Sequence, residues 1–176
     1  MTPKVTSFDA DWLTGYTMAV AANILPTYAD PATRFGSEPK RLARLMELNV
    51  PREFDDVALA RQVANGLPTT VVIAFARLLG RSRVIGLMIP EATYRRLRKE
   101  GKPLPREHSE RIYEVGRVLD FLAQVYHGDL DRMVDFLSGP HPLLGGETPF
   151  DMARSSSAGA EAVLNLLRRA AAGVPV

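Results

Sequence analysis

One stretch decides how the last third of the chain folds: Pro140-His141-Pro142-Leu143-Leu144-Gly145-Gly146-Glu147-Thr148-Pro149-Phe150-Asp151-Met152-Ala153-Arg154. Prolines fix φ on either side of the two leucines, and Gly145-Gly146 can take positive φ without steric cost. Thr148-Pro149 is the pattern of a helix N-cap followed by proline at the first helical position, and Asp151 falls where the helix dipole favours an acid. The stretch therefore predicts a tight loop that leads directly into a helix.

The residues after this loop predict one more helix, with Ser157 as its N-cap. Arg168 and Arg169 fall in its last turns, where cations are favoured, and Gly173 with Pro175 ends it. Its apolar residues recur at spacings of three and four: Ala160, Val163, Leu164, Leu167 and Ala171. On these residues alone, the segment is a small helical hairpin that completes a hydrophobic core.

The loop, the helix and the end of the chain together resemble the Xre/MbcA/ParS family of antitoxins. The pattern is Pro142-x-Leu144-Gly145-Gly146-x-Thr148-Pro149-x-x-x-Ala153, then a helix and Gly173-Val174-Pro175-Val176. The similarity runs from about Leu67 to Val176, and it is the combination that is specific, since Gly-Gly or Thr-Pro alone is common. The resemblance implies an all-α fold, with an Xre-like helix-turn-helix module and a small helical C-terminal toxin-binding domain after a helical N-terminal extension.

The resemblance also implies a function, that of the antitoxin in a type II toxin–antitoxin pair. The partner in this family is usually a RES-domain toxin that degrades NAD, and the antitoxin's C-terminal tail covers the toxin's active site. NAD would then be the toxin's substrate and not a cofactor of this chain. The residues implied in toxin binding are Arg168, Arg169, Gly173, Val174, Pro175 and Val176. The structural loop comprises Pro142, Leu144, Gly145, Gly146, Thr148 and Pro149.

Composition fits a folded protein of one compact unit or two small ones. The chain has 176 residues, of which 46% are hydrophobic and 24% charged. It has no cysteine, so disulfides and thiolate metal sites are excluded. No apolar run approaches the roughly 20 residues that span a bilayer. The apolar run Met18–Leu25 follows Asp9 and Asp11 rather than a basic segment, so we do not read it as a signal peptide and expect a cytoplasmic protein.

Positive charge is concentrated in the middle third. The whole chain has a net charge of only +2, but between Arg81 and Arg117 ten basic residues stand against five acidic ones. An anionic partner is therefore expected to bind there. The family's helix-turn-helix binds the promoter of its own operon, often as a dimer or within a complex with the toxin, which agrees with this location.

The helix-turn-helix is predicted from three segments. Residues 69–79 form the first helix, residues 82–88 the second with Ser82 as its cap, and residues 90–99 the recognition helix, with Ala92 and Leu97 facing the core. The side chains predicted to reach DNA are Thr93, Tyr94, Arg95, Arg96, Arg98 and Lys99. Two features depart from the common pattern: the second helix is short, and the turn has no glycine except Gly86, which comes early.

The chain divides into three predicted parts: residues 1–54, an extension whose role is open; residues 55–105, the helix-turn-helix module; and residues 106–176, a linking helix with the toxin-binding domain. The extension predicts helices at 8–25, closed by Pro26, and at 38–48. The second has an apolar face and a basic face (Lys40, Arg41, Arg44) that we expect to be solvated. Packing against the rest of the chain is the simplest role for the extension, and a dimerisation or partner-binding arm is the alternative.

Nothing in the sequence points to catalysis. The histidines His108, His127 and His141 lie in different segments, and none has metal-ligand spacing. No nucleophile elbow, phosphate loop or dinucleotide fingerprint is present. We expect no enzyme, no metal and no cofactor. Two rival functions remain: a stand-alone transcriptional regulator without a toxin, and an interaction scaffold that has lost DNA binding.

Overall fold

The computed structural model describes residues 25–28 and 36–173, and in these residues it is all-helical, as predicted. Within the described residues, a 3-10 helix at Leu25–Tyr28 precedes nine α-helices, and a second 3-10 helix, Pro142–Leu144, precedes α8. The α-helices are α1 Glu38–Leu45, α2 Asp56–Asn65, α3 Thr70–Leu79, α4 Arg81–Val84, α5 Glu91–Glu100, α6 Arg106–Val125, α7 Leu130–Ser138, α8 Pro149–Ser155 and α9 Ser157–Ala171. No strand occurs in this part, only an isolated bridge between Ile85 and Ile89.

Some predictions fall outside the described residues. One is the helix at 8–25, of which only Leu25 is described. Another is the prediction that the apolar run at 18–25 is not a signal peptide. The tail Val174-Pro175-Val176 also lies outside them. Pro26 lies within the first 3-10 helix.

The long helix α6 is the centre of the molecule. Periodicity in the sequence predicts an apolar seam along this helix at Ile112, Val115, Val118, Leu119, Leu122, Val125 and Tyr126. The first five are buried, whereas Val125 and Tyr126, at the C-terminal end, are only partly buried. Four helices pack on it: α1 and α2 from the N-terminal part of the chain, and α8 and α9 from the C-terminal part. The N- and C-terminal parts of the chain are therefore joined through one shared core, because a helix with a wide apolar face can bury against two layers.

The described part of the N-terminal extension packs into this core. Leu42, Leu45 and Met46 are buried, as expected. The prediction that Arg41 belongs to a solvated basic face was wrong. Its guanidinium donates to both carboxylate oxygens of Asp120 on α6, at 3.0 and 3.1 Å from Nε. The physical reason is that Asp120 is itself buried, and a buried carboxylate requires a charged or hydrogen-bonding partner.

A tyrosine completes this polar contact. The Tyr28 hydroxyl donates to Asp120 Oδ1 at 2.9 Å, and Gln124 donates to Oδ2 at 3.0 Å. Burial, reinforced by the neighbouring carboxylate, raises the pKa of Tyr28 far above its usual range, which keeps the hydroxyl protonated as a donor. The first 3-10 helix and α1 are thus both hydrogen-bonded to one buried carboxylate on the central helix.

Helices α8 and α9 form a tight hairpin at the C-terminus. The predicted stripe is buried at Ala160, Val163, Leu164 and Leu167, but Ala171, the last residue of the helix, is exposed. The N-cap of α9 is Ser156, whose side chain accepts from the Gly159 amide, and not Ser157 as predicted. The two serines are adjacent, so the sequence pattern alone does not separate them.

In residues 25–28 and 36–173, no single helix is both long and apolar enough to cross a membrane. Only α2 and α3 taken together reach that length and composition, and the chain bends by 103° between them.

Candidate functional site

The turn of the helix-turn-helix differs from the prediction. Helix α4 is a single turn that ends at Val84, and Ile85 is extended, so the predicted helix at 82–88 is four residues long. Gly86 has a φ of 117° and donates its amide to the Ile89 carbonyl at 2.8 Å. Only glycine adopts this backbone conformation readily. Gly86 is therefore the turn glycine, and it comes early because α4 is short.

The recognition helix α5 is rotated from the predicted orientation. Tyr94 and Leu97 are each only 4% exposed and form its buried face, whereas Ala92 is exposed. The assignment of Ala92 to the core was wrong, and Tyr94 is not accessible to DNA. The reason is helix geometry: residues 94 and 97 lie three apart on one face, while residue 92 lies on nearly the opposite side from 94. The spacing of Tyr94 and Leu97 was the available signal.

The exposed face of α5 carries the other predicted DNA-binding residues. Thr93 is half-buried, and the four basic side chains are exposed: Arg95, Arg96, Arg98 and Lys99. Two of them form ion pairs within the helix, Arg95 with Glu91 at 2.9 Å and Arg96 with Glu100 at 3.8 Å. In the part of the chain that the structure describes, no carboxylate pairs with Arg98 or Lys99.

These ion pairs are easily exchanged. Arg81 also pairs with Glu91, at 3.0 Å, and Lys102 also pairs with Glu100, at 2.9 Å. Exposed pairs of this kind contribute at most about 1 kcal/mol each. A phosphate can therefore replace either carboxylate at small cost, and the surface of α5 is suited to an anionic backbone.

The structural loop before α8 is closed by its own hydrogen bonds. The His141 carbonyl accepts from the amides of Leu144 and Gly146, at 3.0 and 3.1 Å. Gly145 and Gly146 have φ values of 68° and 84°. Leu144 is buried beneath the loop, whereas Leu143 is 53% exposed at its apex. The loop is thus closed by its own hydrogen bonds and anchored in the core by one leucine.

The loop enters α8 through the predicted cap. The Thr148 side chain accepts from the Asp151 amide at 3.0 Å, and Pro149 is the first helical residue. The Thr148 hydroxyl also donates to Asp151 Oδ2 at 2.8 Å. This bond, followed by the one from Arg154, lowers the pKa of Asp151 and favours its ionised form.

The two arginines at the end of α9 differ in their partners. Arg168 donates to Glu161 at 2.6 Å and to Asn165 at 2.8 Å. Arg169 is exposed and has no ion pair among the described residues. Gly173, with a φ of 73°, follows the helix end, and its amide bonds the Ala170 carbonyl at 3.0 Å. The left-handed glycine turns the chain out of the helix immediately before the tail.

Sequence reasoning missed the polar residues that connect α1, α6 and α9. Arg117 on α6 pairs with Glu114 and with Glu161 on α9, both at 3.2 Å. A cavity of about 230 Å³ lies beside them, and its lining includes Arg41, Asp120 and Arg168. Arg41, Arg117 and Arg168 each have a carboxylate partner, so the positive charge at the cavity wall is largely compensated.

Comparison with known families agrees with this architecture. Residues 58–117 match the antitoxin Xre-like helix-turn-helix domain. Residues 122–173 match the antitoxin Xre/MbcA/ParS C-terminal toxin-binding domain. A helix-turn-helix followed by a helical toxin-binding domain defines the protein as an antitoxin. The chain belongs to the Xre/MbcA/ParS antitoxin family, which confirms the resemblance drawn from the loop. A comparison with curated proteins finds no match.

Proposed function

We propose that this antitoxin binds and neutralises a RES-domain toxin that degrades NAD, and that its C-terminal tail covers the toxin's active site. The observation that carries the proposal is the toxin-binding domain at residues 122–173, which ends at the glycine that precedes the tail. NAD is the toxin's substrate in this proposal. The antitoxin itself is not an enzyme and binds no cofactor.

The tail has physical properties suited to insertion. The segment Val174-Pro175-Val176 is short and apolar, and its proline reduces the number of conformations that are lost on binding. Gly173 has a left-handed backbone conformation, which is common where a helix ends. Arg169 has no ion pair among the described residues and can pair with a partner directly, whereas Arg168 must first break its ion pair with Glu161. We therefore assign the first electrostatic contact with the toxin to Arg169.

Co-expression with the neighbouring reading frame tests the antitoxin role. A neighbour that arrests growth alone, and is neutralised by this chain, supports the proposal. A neighbour without toxicity instead favours a stand-alone helix-turn-helix regulator, in which the tail is only structural.

We further propose that the protein represses its own operon through α5. The proposed DNA contacts are Thr93, Arg95, Arg96, Arg98 and Lys99, with Tyr94 removed from the predicted set because it is buried. Arginine can read guanine edges with two donors, and both residue types neutralise phosphates. We propose a homodimer or a hetero-oligomer with the toxin as the binding species, in the cytoplasm. The division at 1–54, 55–105 and 106–176 is retained as our proposed domain organisation.

Replacing Arg95 and Arg98 together with alanine is expected to weaken binding to the operon's upstream region. The binding constant falls as salt rises, and each phosphate contact makes the slope of log K against log salt steeper by about 0.9. The slope of the variant should therefore be shallower by about 1 to 2. Gel shifts at several salt concentrations measure this.

The matched control is Lys40→Ala plus Arg132→Ala, which removes the same charge from exposed positions on α1 and α7. The control should leave the slope unchanged. An unchanged slope in the Arg95/Arg98 variant would remove α5 from the DNA interface. If the wild type retains no upstream fragment at low salt, the protein is an interaction scaffold without DNA binding.

A further inference from the structure

The turn between α4 and α5 is held by side chains from other parts of the chain. Arg111 on α6 donates from Nη1 to the Met88 carbonyl at 3.1 Å. Arg154 on α8 donates from Nη1 to the Leu87 carbonyl at 3.3 Å. The first contact lies within the stretch that matches the helix-turn-helix family, whereas the second comes from the stretch that matches the toxin-binding domain.

These two contacts clamp successive peptide units. The Leu87 carbonyl and the Met88 amide belong to one planar peptide, and that amide donates to the Val84 carbonyl at 3.1 Å. The next peptide joins the Met88 carbonyl to the Ile89 amide, which also donates to Val84, at 3.0 Å. Each peptide is thus fixed at both ends. Because Pro90 and α5 follow directly, the orientation of these peptides determines where α5 begins, while the burial of Tyr94 and Leu97 holds the helix against the core.

Arg154 is held in place by its own domain. Its Nε and Nη2 both lie 2.8 Å from Asp151 Oδ1, and the Thr148 hydroxyl fixes that carboxylate. Its guanidinium also lies 5.8 Å from the centre of the Phe150 ring. With two nitrogens bound to Asp151, the third is directed at Leu87. The Thr148-Pro149 cap therefore has a second effect besides starting α8, which is to orient Arg154.

A further contact joins the same two parts. Arg83 on α4 donates to the Ser138 hydroxyl, at the end of α7, at 2.6 Å. The short helix of the helix-turn-helix and its turn are thus each bonded to the C-terminal domain.

We infer that Arg154 is a positioning residue that couples the toxin-binding domain to the DNA-recognition helix. A partner that moves α8, or that competes for Asp151, changes the hold on the Leu87 carbonyl and with it the position at which α5 begins. Binding free energies are reciprocal, so DNA bound at α5 must alter partner affinity by the same factor. The coupling to DNA rests on the proposed function of α5, whereas the hold on the turn does not.

Amide hydrogen exchange on the full-length protein tests the hold directly. Arg154→Met keeps the aliphatic stem and removes the donors. We expect exchange of the Met88 amide to accelerate about fivefold or more, with the amides of the α6 core unchanged. Arg132→Met, at an exposed position in the same domain, is the matched control and should change neither. Acceleration of less than about twofold at Met88 would overturn the inference, as would an equal acceleration in the α6 core, which indicates general destabilisation.

Operator affinity with and without bound toxin provides the second measurement. In Arg154→Met, the ratio of the two affinities should lie closer to one than in the wild type. If the wild-type ratio differs from one and the variant has the same ratio, the coupling is overturned. Wild-type protein that binds no operator refutes the proposed DNA function and the coupling to DNA. The exchange rate at Met88 then still decides whether Arg154 holds the turn.

Discussion

Replacing Asp120 with alanine is expected to lower the free energy of unfolding by about 3 kcal/mol. The carboxylate is 4% exposed and accepts from Tyr28, Arg41 and Gln124. Its removal leaves a guanidinium that is only 18% exposed without its carboxylate. Losing one member of a buried ion pair costs about 3 to 5 kcal/mol, and the partial exposure of Arg41 places the effect at the lower end.

Urea denaturation followed by circular dichroism measures this change. Asp135→Ala, at an exposed position on α7, is the matched control and should stay within about 0.5 kcal/mol of the wild type. The double variant Asp120→Ala plus Arg41→Met should recover part of the loss, because it no longer leaves an unpaired charge. A loss below about 1 kcal/mol in Asp120→Ala would show that this contact does not anchor the N-terminal extension.

Gly159→Ala is expected to destabilise the C-terminal hairpin by about 3 kcal/mol. A methyl group at this position would lie 2.1 Å from the Met152 carbonyl oxygen and 2.6 Å from Ser155 Oγ. The first contact is with backbone, so α8 and α9 must move apart instead of a side chain rotating away. Because α8 and α9 belong to the toxin-binding domain, affinity for the toxin should fall as well.

Gly139→Ala is the control for this substitution. Gly139 has a φ of −80°, which any residue adopts, and an added methyl group would come no closer than 3.6 Å to its neighbours. This variant should be as stable as the wild type or slightly more so. Thermal unfolding of both variants gives the comparison. Equal stability of Gly159→Ala and the wild type would mean that the two helices are not packed as closely as described.

Local signals in the sequence predicted local structure well. The sequence predicted caps at Asp129 and Thr148 and left the cap of α2 open between Asp55 and Asp56, of which Asp55 is the cap. In each case the side chain and the amide it accepts from lie three residues apart. The apolar seam of α6 was also predicted correctly from Ile112 to Leu122, though not at Val125 and Tyr126, since a period of 3.6 residues is visible in the sequence itself. Both properties are settled within a few neighbouring residues.

Contacts between distant residues were not predictable in this way. The pair of Arg41 and Asp120 spans 79 positions, and that of Arg154 and Leu87 spans 67. Arg41 on the polar face of a short helix gives the same pattern whether it is solvated or paired. The orientation of α5 was missed for a related reason. Tyr94 has both an apolar ring and a hydroxyl, so its residue type fits either the core or a DNA surface.

The most direct test of the account compares two forms of the antitoxin, each co-expressed with its neighbouring toxin: the full chain and a chain that ends at Ala172. We predict that the full chain restores growth. The shorter chain should still co-purify with the toxin but fail to restore growth, because it lacks Gly173, Val174, Pro175 and Val176. Restored growth with both chains would contradict the account, since neutralisation would then act through the surface of the domain and not through the tail.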